Sequence, residues 1–332
     1  MGYLTNERVA VLGAAGAIGS NLVQSLLQLG VTSDIVMFDP YAPGLEGAAE
    51  EIYHCAFPDA NVTWTTDLEE ALTGTSYLIT SGGAPRREGM TREDLRRDNC
   101  QIAKDLGAQI KRSAPELKFA IVIFNPADIT GLTALVHSGL PPTNLATLAA
   151  LDSTRLQTAL AQKFGIQQSK VTGCRTYGGH GEKMAVFKGT IQIDGKPLTE
   201  CLADGTLSPE DWQAIQEHVR GGGARIIKLR GRSSFQSPAH QSVMMLKSVI
   251  DGSPYPWPCG AYISEGEFKG VMMAADTTLD QNGVSYRIPE GDEEDMAALR
   301  DSYEHLVALR DQTIEDGLLP PLDEWNEYNP HL

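Results

Sequence analysis

Two charged residues with chemical potential, Asp152 and Arg155, lie three positions apart just after the apolar run 145–150. The run predicts a buried strand that turns into a helix, with Asp152 at the N-cap of that helix. Residues three apart share one side of a helical turn, so a carboxylate and a guanidinium would be held together there. A helix cap with a surface ion pair is the simpler interpretation, and a catalytic site is the other.

A third candidate, His180, stands in a glycine-rich turn between Gly179 and Gly181. Small neighbours leave room for a ligand to approach the imidazole ring. A lone histidine on a turn is usually inert, so its role depends on the motifs that accompany it.

The first forty residues predict a nucleotide-binding turn. An apolar strand at 8–12 runs into a glycine-rich turn and then into a helical pattern. Such a turn lets the backbone approach a pyrophosphate, whose charge meets the amides at the helix N-terminus. The predicted cofactor-binding residues of this turn are Gly13, Gly16, Ala17, Ile18 and Gly19.

Asp39 strengthens this prediction and specifies the cofactor. It ends a second apolar strand at 34–38, at the spacing from the glycines expected for an acid that binds the adenosine ribose. A carboxylate there repels a 2′-phosphate, and no arginine follows it in 40–43. We therefore predict NAD rather than NADP.

Further apolar strands are predicted at 76–80, 119–124 and 145–150, with helical patterns between them. This alternation predicts an α/β fold with a doubly wound parallel sheet. Ligands of such sheets bind beyond the carboxyl ends of the strands. Five residues, Gly13, Asp39, Gly82, Asn125 and Asp152, fall at or just after predicted strand ends, so they should converge in space.

A basic segment follows the strand at 76–80. Its arginines are Arg86, Arg87, Arg92, Arg96 and Arg97. Thr91 and Asp94 predict the cap of a helix, on which Arg96 and Arg97 are interpreted as solvated side chains. Asn99 interrupts the apolar face of this helix, as a ligand contact or as a core asparagine bonded to backbone.

Composition limits the partners and the compartment. A net charge of -16 argues against nucleic acid and anionic membranes. No apolar run is long enough to span a bilayer, and the start of the chain lacks a secretory pattern, so we expect a cytoplasmic protein. The five cysteines are scattered, which argues against disulfides and against a zinc site. No metal is predicted.

In their order and spacing, these motifs resemble those of the malate and lactate dehydrogenase family. The matching segments are Gly13-x-x-Gly16-x-x-Gly19, Asp39, the loop 86–95, Asn125-Pro126, Leu151-Asp-x-x-Arg155 and Gly179-His180-Gly181. The resemblance implies a Rossmann NAD-binding domain at 1–150, a second α+β domain that binds the substrate at 151–332, and a homodimer or homotetramer.

The resemblance also implies catalytic roles. His180 would exchange a proton with the substrate, and Asp152 would orient its ring and stabilise the imidazolium. Arg155 would bind the 1-carboxylate of the substrate through two parallel hydrogen bonds. Asn125 would bind the substrate oxygen and lie beside the cofactor, and Asn99 would also lie near the cofactor.

Two arginines of the loop complete the implied site. Arg92 would be carried in by loop closure to polarise the substrate carbonyl. Arg86 would face a second carboxylate, so the implied reaction interconverts malate and oxaloacetate, a small dicarboxylate pair, with NAD. Lactate or another 2-hydroxyacid is the alternative within the family.

Two other classes of function are weighed against this one. NAD-dependent glycosidases of family 4 share the nucleotide domain and the Asn-Pro motif, but Phe124 stands where those enzymes place a cysteine for their metal. A non-catalytic NAD-binding protein would not need Asp152, Arg155 and His180 together.

Overall fold

Strands and helices alternate through the first half of the chain in this computed structural model, which describes residues 2–84, 91–181 and 183–332. The strands are β1 Val9–Leu12, β2 Asp34–Phe38, β3 Asn61–Thr65, β4 Tyr77–Thr80, β5 Phe119–Val122 and β6 Leu145–Thr147. The helices are α1 Ala17–Gln28, α2 Ala42–His54, α3 Leu68–Leu72, α4 Arg92–Ser113 and α5 Ala127–Ser138.

The second half mixes helices with short strands. Its strands are β7 Val171–Thr172, β8 Arg175–Tyr177, β9 Ala185–Phe187, β10 Gln192–Ile193, β11 Lys196–Pro197, β12 Gly260–Ile263, β13 Val271–Ala274, β14 Asp276–Asp280 and β15 Gly283–Arg287. Its helices are α6 Ala150–Phe164, α7 Leu198–Ala203, α8 Pro209–Arg220, α9 Gly222–Arg230, α10 Gln236–Asp251, α11 Glu293–Glu315 and α12 Trp325–Tyr328.

One eight-stranded sheet organises the fold, in the order β13-β12-β6-β5-β4-β1-β2-β3. The first six strands of the chain pair in parallel, and β1 lies between β2 and β4, where the strand order reverses. Ligands of doubly wound sheets bind at this switch point. The predicted α/β fold with a parallel sheet is confirmed.

Strands from the second half of the chain extend this sheet. β12 pairs antiparallel with both β6 and β13. The remaining strands form three small antiparallel sheets, β7-β10-β11, β8-β9 and β14-β15. The main sheet therefore crosses the boundary predicted near residue 150.

Apolar side chains cover both faces of the main sheet. On one face, α1 and α10 pack together through buried residues such as Leu26 and Leu246. On the other face, α4 and α5 pack closely through residues such as Leu106 and Leu135. Burial on both sides explains why β1, β4 and β5 are apolar runs without alternation. No helix within the described ranges is long and apolar enough to cross a membrane.

Two local predictions are wrong. The run 145–150 is a strand only as far as Thr147, and α6 begins at Ala150 with Ala149 as its N-cap. Asp152 is therefore the third residue of the helix rather than its cap, and its side chain contacts His180 and Arg155. Arg96 is not solvated: its side chain is 4% exposed and bonds Asp316 at the end of α11, 220 residues away.

Candidate active site

The glycine-rich turn after β1 has the tight geometry that a pyrophosphate requires. Gly13 has φ +81, and a Cβ there would lie 2.7 Å from the Cα of Gly82. A Cβ at Gly19 would lie 2.1 Å from the Gly13 carbonyl oxygen, so only glycine lets α1 start so close to the turn. No side chain caps α1 and no acid stands in its first turn. Its amino-terminal amides thus suit a pyrophosphate.

Asp39 follows β2 and lies beside this turn. One carboxylate oxygen accepts the N–H of Ala15 at 3.3 Å, and the other accepts the N–H of Tyr41 at 3.0 Å. These two bonds hold a negative charge in place next to the glycine-rich turn. The geometry fits the ribose end of a dinucleotide, as the spacing predicts.

A cleft of about 340 Å³ opens at the carboxyl ends of the parallel strands. It brings together residues that the sequence places far apart. Five of the predicted site residues line it, namely Ile18, Asn99, Asn125, Arg155 and His180. Of the residues expected to converge at the strand ends, Asn125 lines the cleft, and Asp152 contacts two residues that line it, His180 and Arg155.

The carboxylate of Asp152 contacts both Arg155 and His180, which line the cleft. Its Oδ2 lies 2.6 Å from Nδ1 of His180, and its Oδ1 accepts from Nη1 of Arg155 at 2.8 Å. The Asp152 side chain is 3% exposed, whereas that of His180 is 24% exposed. With Nδ1 bonded to Asp152, Nε2 is the ring nitrogen that can exchange a proton with a ligand.

The charge of Asp152 also sets the protonation of His180. This negative charge raises the pKa of His180 above its ordinary value, although burial of the ring acts in the opposite direction. A carboxylate that orients an imidazole and stabilises its cation is the arrangement that general acid-base catalysis uses.

The backbone around His180 is fixed by residues that the sequence did not reveal. Gly178 exchanges two hydrogen bonds of 2.9 Å with Ala274 of β13. The N–H of Gly179 donates to Oγ of Ser302 in α11 at 2.9 Å. Since Gly178 has φ +80, the turn presents His180 to the cleft through a conformation that favours glycine.

A second buried carboxylate, Asp128, also contacts this turn. Its Oδ2 accepts the backbone N–H of His180 at 2.8 Å. Burial raises the pKa of Asp128 to about 6. No motif pointed to Asp128, although its place in the first turn of α5, shortly after Asn125, was a usable signal.

Asn99 and Asn125 link the base of the basic loop to the cleft. Oδ1 of Asn99 accepts the N–H of Ala84 at 2.7 Å, and its Nδ2 donates to the carbonyl of Asn125 at 2.6 Å. Asn99 is thus a buried asparagine bonded to backbone at the edge of the cleft. Asn125 itself is exposed and lines the cleft.

Close packing against α9 positions Arg155. A Cβ at Gly222 would lie 2.7 Å from Cδ of Arg155 and 3.0 Å from its Nε. Residues 221–223 form the junction of two helices, since α8 ends at Arg220 and α9 begins at Gly222. The glycines therefore give the guanidinium room beside the helix start.

The contacts of two predicted substrate-binding arginines lie outside the part of the chain that the structure describes. Arg86 falls outside the described residues, in the segment that joins β4 to α4. Arg92 begins α4, but its side chain is likewise outside the described part. The capping box predicted from Thr91 and Asp94 is present. Among residues 2–84, 91–181 and 183–332, no group of three His, Cys, Asp or Glu side chains is arranged to hold a metal.

Comparison with known families agrees with this geometry. The model of the NAD-binding domain of lactate/malate dehydrogenases matches residues 7–147, and the model of their α/β carboxyl-terminal domain matches residues 149–315. The chain belongs to the lactate/malate dehydrogenase family. It is therefore an oxidoreductase, and its cofactor is NAD. The glycosidase alternative finds no support in these matches.

Individual relatives carry both names of the family. A malate dehydrogenase of Pelagibacter ubique is 31% identical over 84% of this chain and 88% of that protein. The crystal structure of a Plasmodium falciparum malate dehydrogenase superposes with a TM-score of 0.85 at 24% identity, over 93% of this chain and 99% of that one. A Cryptosporidium parvum lactate dehydrogenase, solved with lactic acid and nicotinamide adenine dinucleotide, has a TM-score of 0.83 at 26% identity, over 92% and 98%.

Proposed function

We propose that this dehydrogenase interconverts malate and oxaloacetate. The observation that carries the chemistry is the 2.6 Å contact between Nδ1 of His180 and Asp152, with Arg155 on the other oxygen of the same carboxylate. One cleft thus offers a proton-transfer group and a guanidinium for an anion.

In the oxidation of malate, Nε2 of neutral His180 takes the hydroxyl proton, and the charge of Asp152 stabilises the resulting imidazolium. The nicotinamide ring supplies the hydride acceptor. Arg155 binds the 1-carboxylate, and the exposed amide of Asn125 holds the reacting oxygen. The reduction of oxaloacetate reverses these steps, with the imidazolium of His180 returning the proton.

Residues from Asp39 to the cleft would hold the cofactor in this proposal. The amides at the start of α1, to which Ala17 and Ile18 belong, would bind the pyrophosphate. The Asp39 carboxylate would bind the adenosine ribose. Asn99 holds the base of the basic loop through Ala84 and so shapes the cofactor side of the cleft.

The preference for malate rests on Arg86 and on the named relative. Oxaloacetate has two carboxylates, and the one that Arg155 does not bind needs a second cation in a closed site. Arg86 supplies this cation, whereas Arg92 polarises the carbonyl. With pyruvate, the guanidinium of Arg86 would face a methyl group, so the same residue rejects the smaller acid. The 31% identity to a malate dehydrogenase supports this choice.

Lactate is the second candidate substrate, because lactate dehydrogenases are also among the similar structures. We further propose that residues 1–150 bind the cofactor, that residues 151–332 bind the substrate, and that the protein is a homodimer or homotetramer. Light scattering of the purified protein measures the assembly state directly.

A panel of 2-oxoacids tested with NADH decides between the substrates. Oxaloacetate should have the highest kcat/KM, and a preference for pyruvate would contradict the malate assignment. Arg86→Gln should lower kcat/KM for oxaloacetate by about 10³, the loss expected for one partner of a buried charge pair, and raise activity on pyruvate. Arg87→Gln is the matched control and should leave the ratio of the two substrates unchanged.

A further inference from the structure

Three consecutive residues of the turn that carries His180 are bonded to three different elements. Gly178 pairs with Ala274 of β13, and Gly179 donates to Ser302 of α11. His180 donates its backbone N–H to Asp128 of α5. The position of the catalytic ring is thus fixed through its backbone as well as through Nδ1.

The bond to Asp128 differs from the other two because its acceptor is a carboxylate. A hydrogen bond to a charged group is worth more than one between neutral groups, and the Asp128 side chain is buried. Burial would favour an apolar residue here unless the carboxylate had a specific partner. The N–H of His180 is that partner.

Asp128 also connects the two halves of the cleft. It stands in the first turn of α5, three residues after Asn125, whose amide faces the cleft. The segment that carries His180 belongs to the second half of the chain and packs on β13 and α11. A single bond therefore joins the start of α5, three residues after Asn125, to the backbone of the residue that transfers the proton.

We propose that Asp128 is a positioning residue for His180, and that its carboxylate fixes the backbone of the turn so that the ring meets Asp152 on one side and the substrate on the other. This inference rests on the proposed hydride-transfer reaction. The raised pKa of Asp128, about 6, leaves the carboxylate mostly ionised at pH 7 to 8. Its charge then adds to that of Asp152 beside the ring.

The first experiment compares Asp128→Leu with Asp128→Asn. Leucine removes the acceptor, and a ring displaced by about 1 Å costs roughly 100-fold in rate. We expect kcat to fall 10- to 100-fold in Asp128→Leu, with the Kd for NADH within threefold of wild type. Asparagine keeps a carbonyl acceptor for the His180 N–H, so it should recover most of the lost kcat.

Asp295→Asn is the matched control. Asp295 is also a buried aspartate whose pKa is raised by burial, but it stands at the start of α11 and bonds none of residues 178–181. Its substitution should leave kcat within twofold of wild type. Equal losses of kcat in Asp128→Leu and Asp128→Asn, or a kcat within threefold of wild type in Asp128→Leu, would overturn the proposal.

The second experiment does not depend on turnover. Among the residues that the structure describes, the charged groups that affect the pKa of His180 most are Asp152 and Arg155 of α6 and Asp128 of α5. Asp128→Asn removes one negative charge, so the pKa of His180 should be lower than in wild type. Histidine ring resonances followed by NMR against pH, with His180→Asn for assignment, measure it.

The two experiments separate the two ideas. A wild type that reduces none of the 2-oxoacids would contradict the proposed function, yet the NMR titration would still test the link between Asp128 and His180. If the wild type is active and the pKa of His180 in folded Asp128→Asn equals that in wild type, the proposed role of Asp128 is overturned while the proposed function stands.

Discussion

Oδ2 of Asp152 lies 2.6 Å from Nδ1 of His180, although 28 residues separate them in the chain. The third residue of α6 and a glycine-rich turn are brought together by the packing of β8 against α6. The result is a buried negative charge against a partly exposed imidazole. This pairing moves the pH range in which His180 is protonated upward, and the pH dependence of the proposed reaction should move with it.

Replacing Asp152 by Asn tests this dependence. Reduction of a 2-oxoacid needs protonated His180, so kcat/KM should decline as pH rises through the pKa of His180, which Asp152 raises above its ordinary value. Asp152→Asn removes the charge that raises this pKa, so the decline should move to lower pH, and kcat should fall by roughly 10² to 10⁴. Rates measured from pH 5 to 9 give both values.

The control for this change is Asp194→Asn, which removes an exposed ion pair with Lys170. It should leave the pH profile unchanged. A pH profile of Asp152→Asn identical to wild type would contradict the assignment of His180 as the proton carrier.

The raised pKa of His180 also has a consequence for stability. Protonation of His180 stabilises the fold fully below the pKa that the histidine has in the unfolded chain, and this contribution is lost as pH rises through the higher pKa of the folded protein.

A methyl group at Gly222 should displace Arg155. The Cβ of Gly222→Ala would lie 2.7 Å from Cδ of Arg155, closer than nonbonded carbons approach. Gly222 begins α9 without a positive φ, so alanine suits the helix and should not lower its stability. We expect KM for the 2-oxoacid to rise about 10- to 100-fold, because a displaced guanidinium loses its paired hydrogen bonds to the carboxylate.

Gly223→Ala is the neighbouring comparison. Its Cβ would lie 3.9 Å from Nη2 of Arg155, which is ordinary contact, so the rise in KM should be much smaller. Thermal unfolding of both variants separates binding from stability. Similar KM values for the two variants would show that Gly222 does not control the guanidinium.

The sequence predicts the parallel strands, and which residues stand at their ends, well, because both follow from local patterns. Apolar runs such as β1 and β4 are buried on both faces, and turn residues such as Gly13 and Asp39 have a fixed spacing. Contacts between residues that lie far apart in the sequence have no such local pattern. The bonds of Asp128 to His180 and of Arg96 to Asp316 join residues 52 and 220 positions apart, so only the folded chain reveals them.

The boundary of α6 was mispredicted for a related reason. The run that ends at Ala150 is apolar throughout, and such a run alone does not show where a strand stops and a helix begins. Asp152 resembles an N-cap by residue type, but its oxygens bond His180 and Arg155 instead. Tertiary partners therefore replaced the local capping bond that the sequence favours.

Asp316, which caps the end of α11, should be important for the stability of the fold because it pairs with the buried side chain of Arg96. Arg96 donates from Nη2 to Asp316 at 2.7 Å and from Nη1 to Thr313 at 3.0 Å. Removing Asp316 leaves a buried guanidinium without its counter-ion, which costs about 3 kcal/mol or more. Asp316→Ala should therefore lower the free energy of unfolding by about this amount, as measured in urea.

Asp301→Ala is the matched surface control. Asp301 pairs with Lys183, and both side chains are about half exposed, so the loss should stay below about 1 kcal/mol. The hydrogen bond with Arg97 is the main cause that lowers the pKa of Asp316. The contribution of Asp316 to the stability of the fold is therefore present at neutral pH and is lost as pH falls through the pKa of Asp316 in the folded protein. Equal losses in the two variants would contradict the special role of Arg96.

The fixed carboxylate of Asp39 should make the enzyme prefer NADH over NADPH. Asp39 accepts N–H groups from Ala15 and Tyr41, so it cannot easily turn away from the ribose. A 2′-phosphate would meet this charge directly, and like charges in contact cost several kcal/mol. We expect kcat/KM for NADH to exceed that for NADPH by at least about 10², and Asp39→Ser to reduce this ratio at least tenfold by removing the repulsion.

Asp34→Ser is the control, because Asp34 lies at the opposite end of β2 and pairs with Arg8. This substitution changes the net charge by the same amount at a position that does not face the cofactor. If it altered the ratio as much as Asp39→Ser, net charge rather than the position of Asp39 would determine the choice of cofactor.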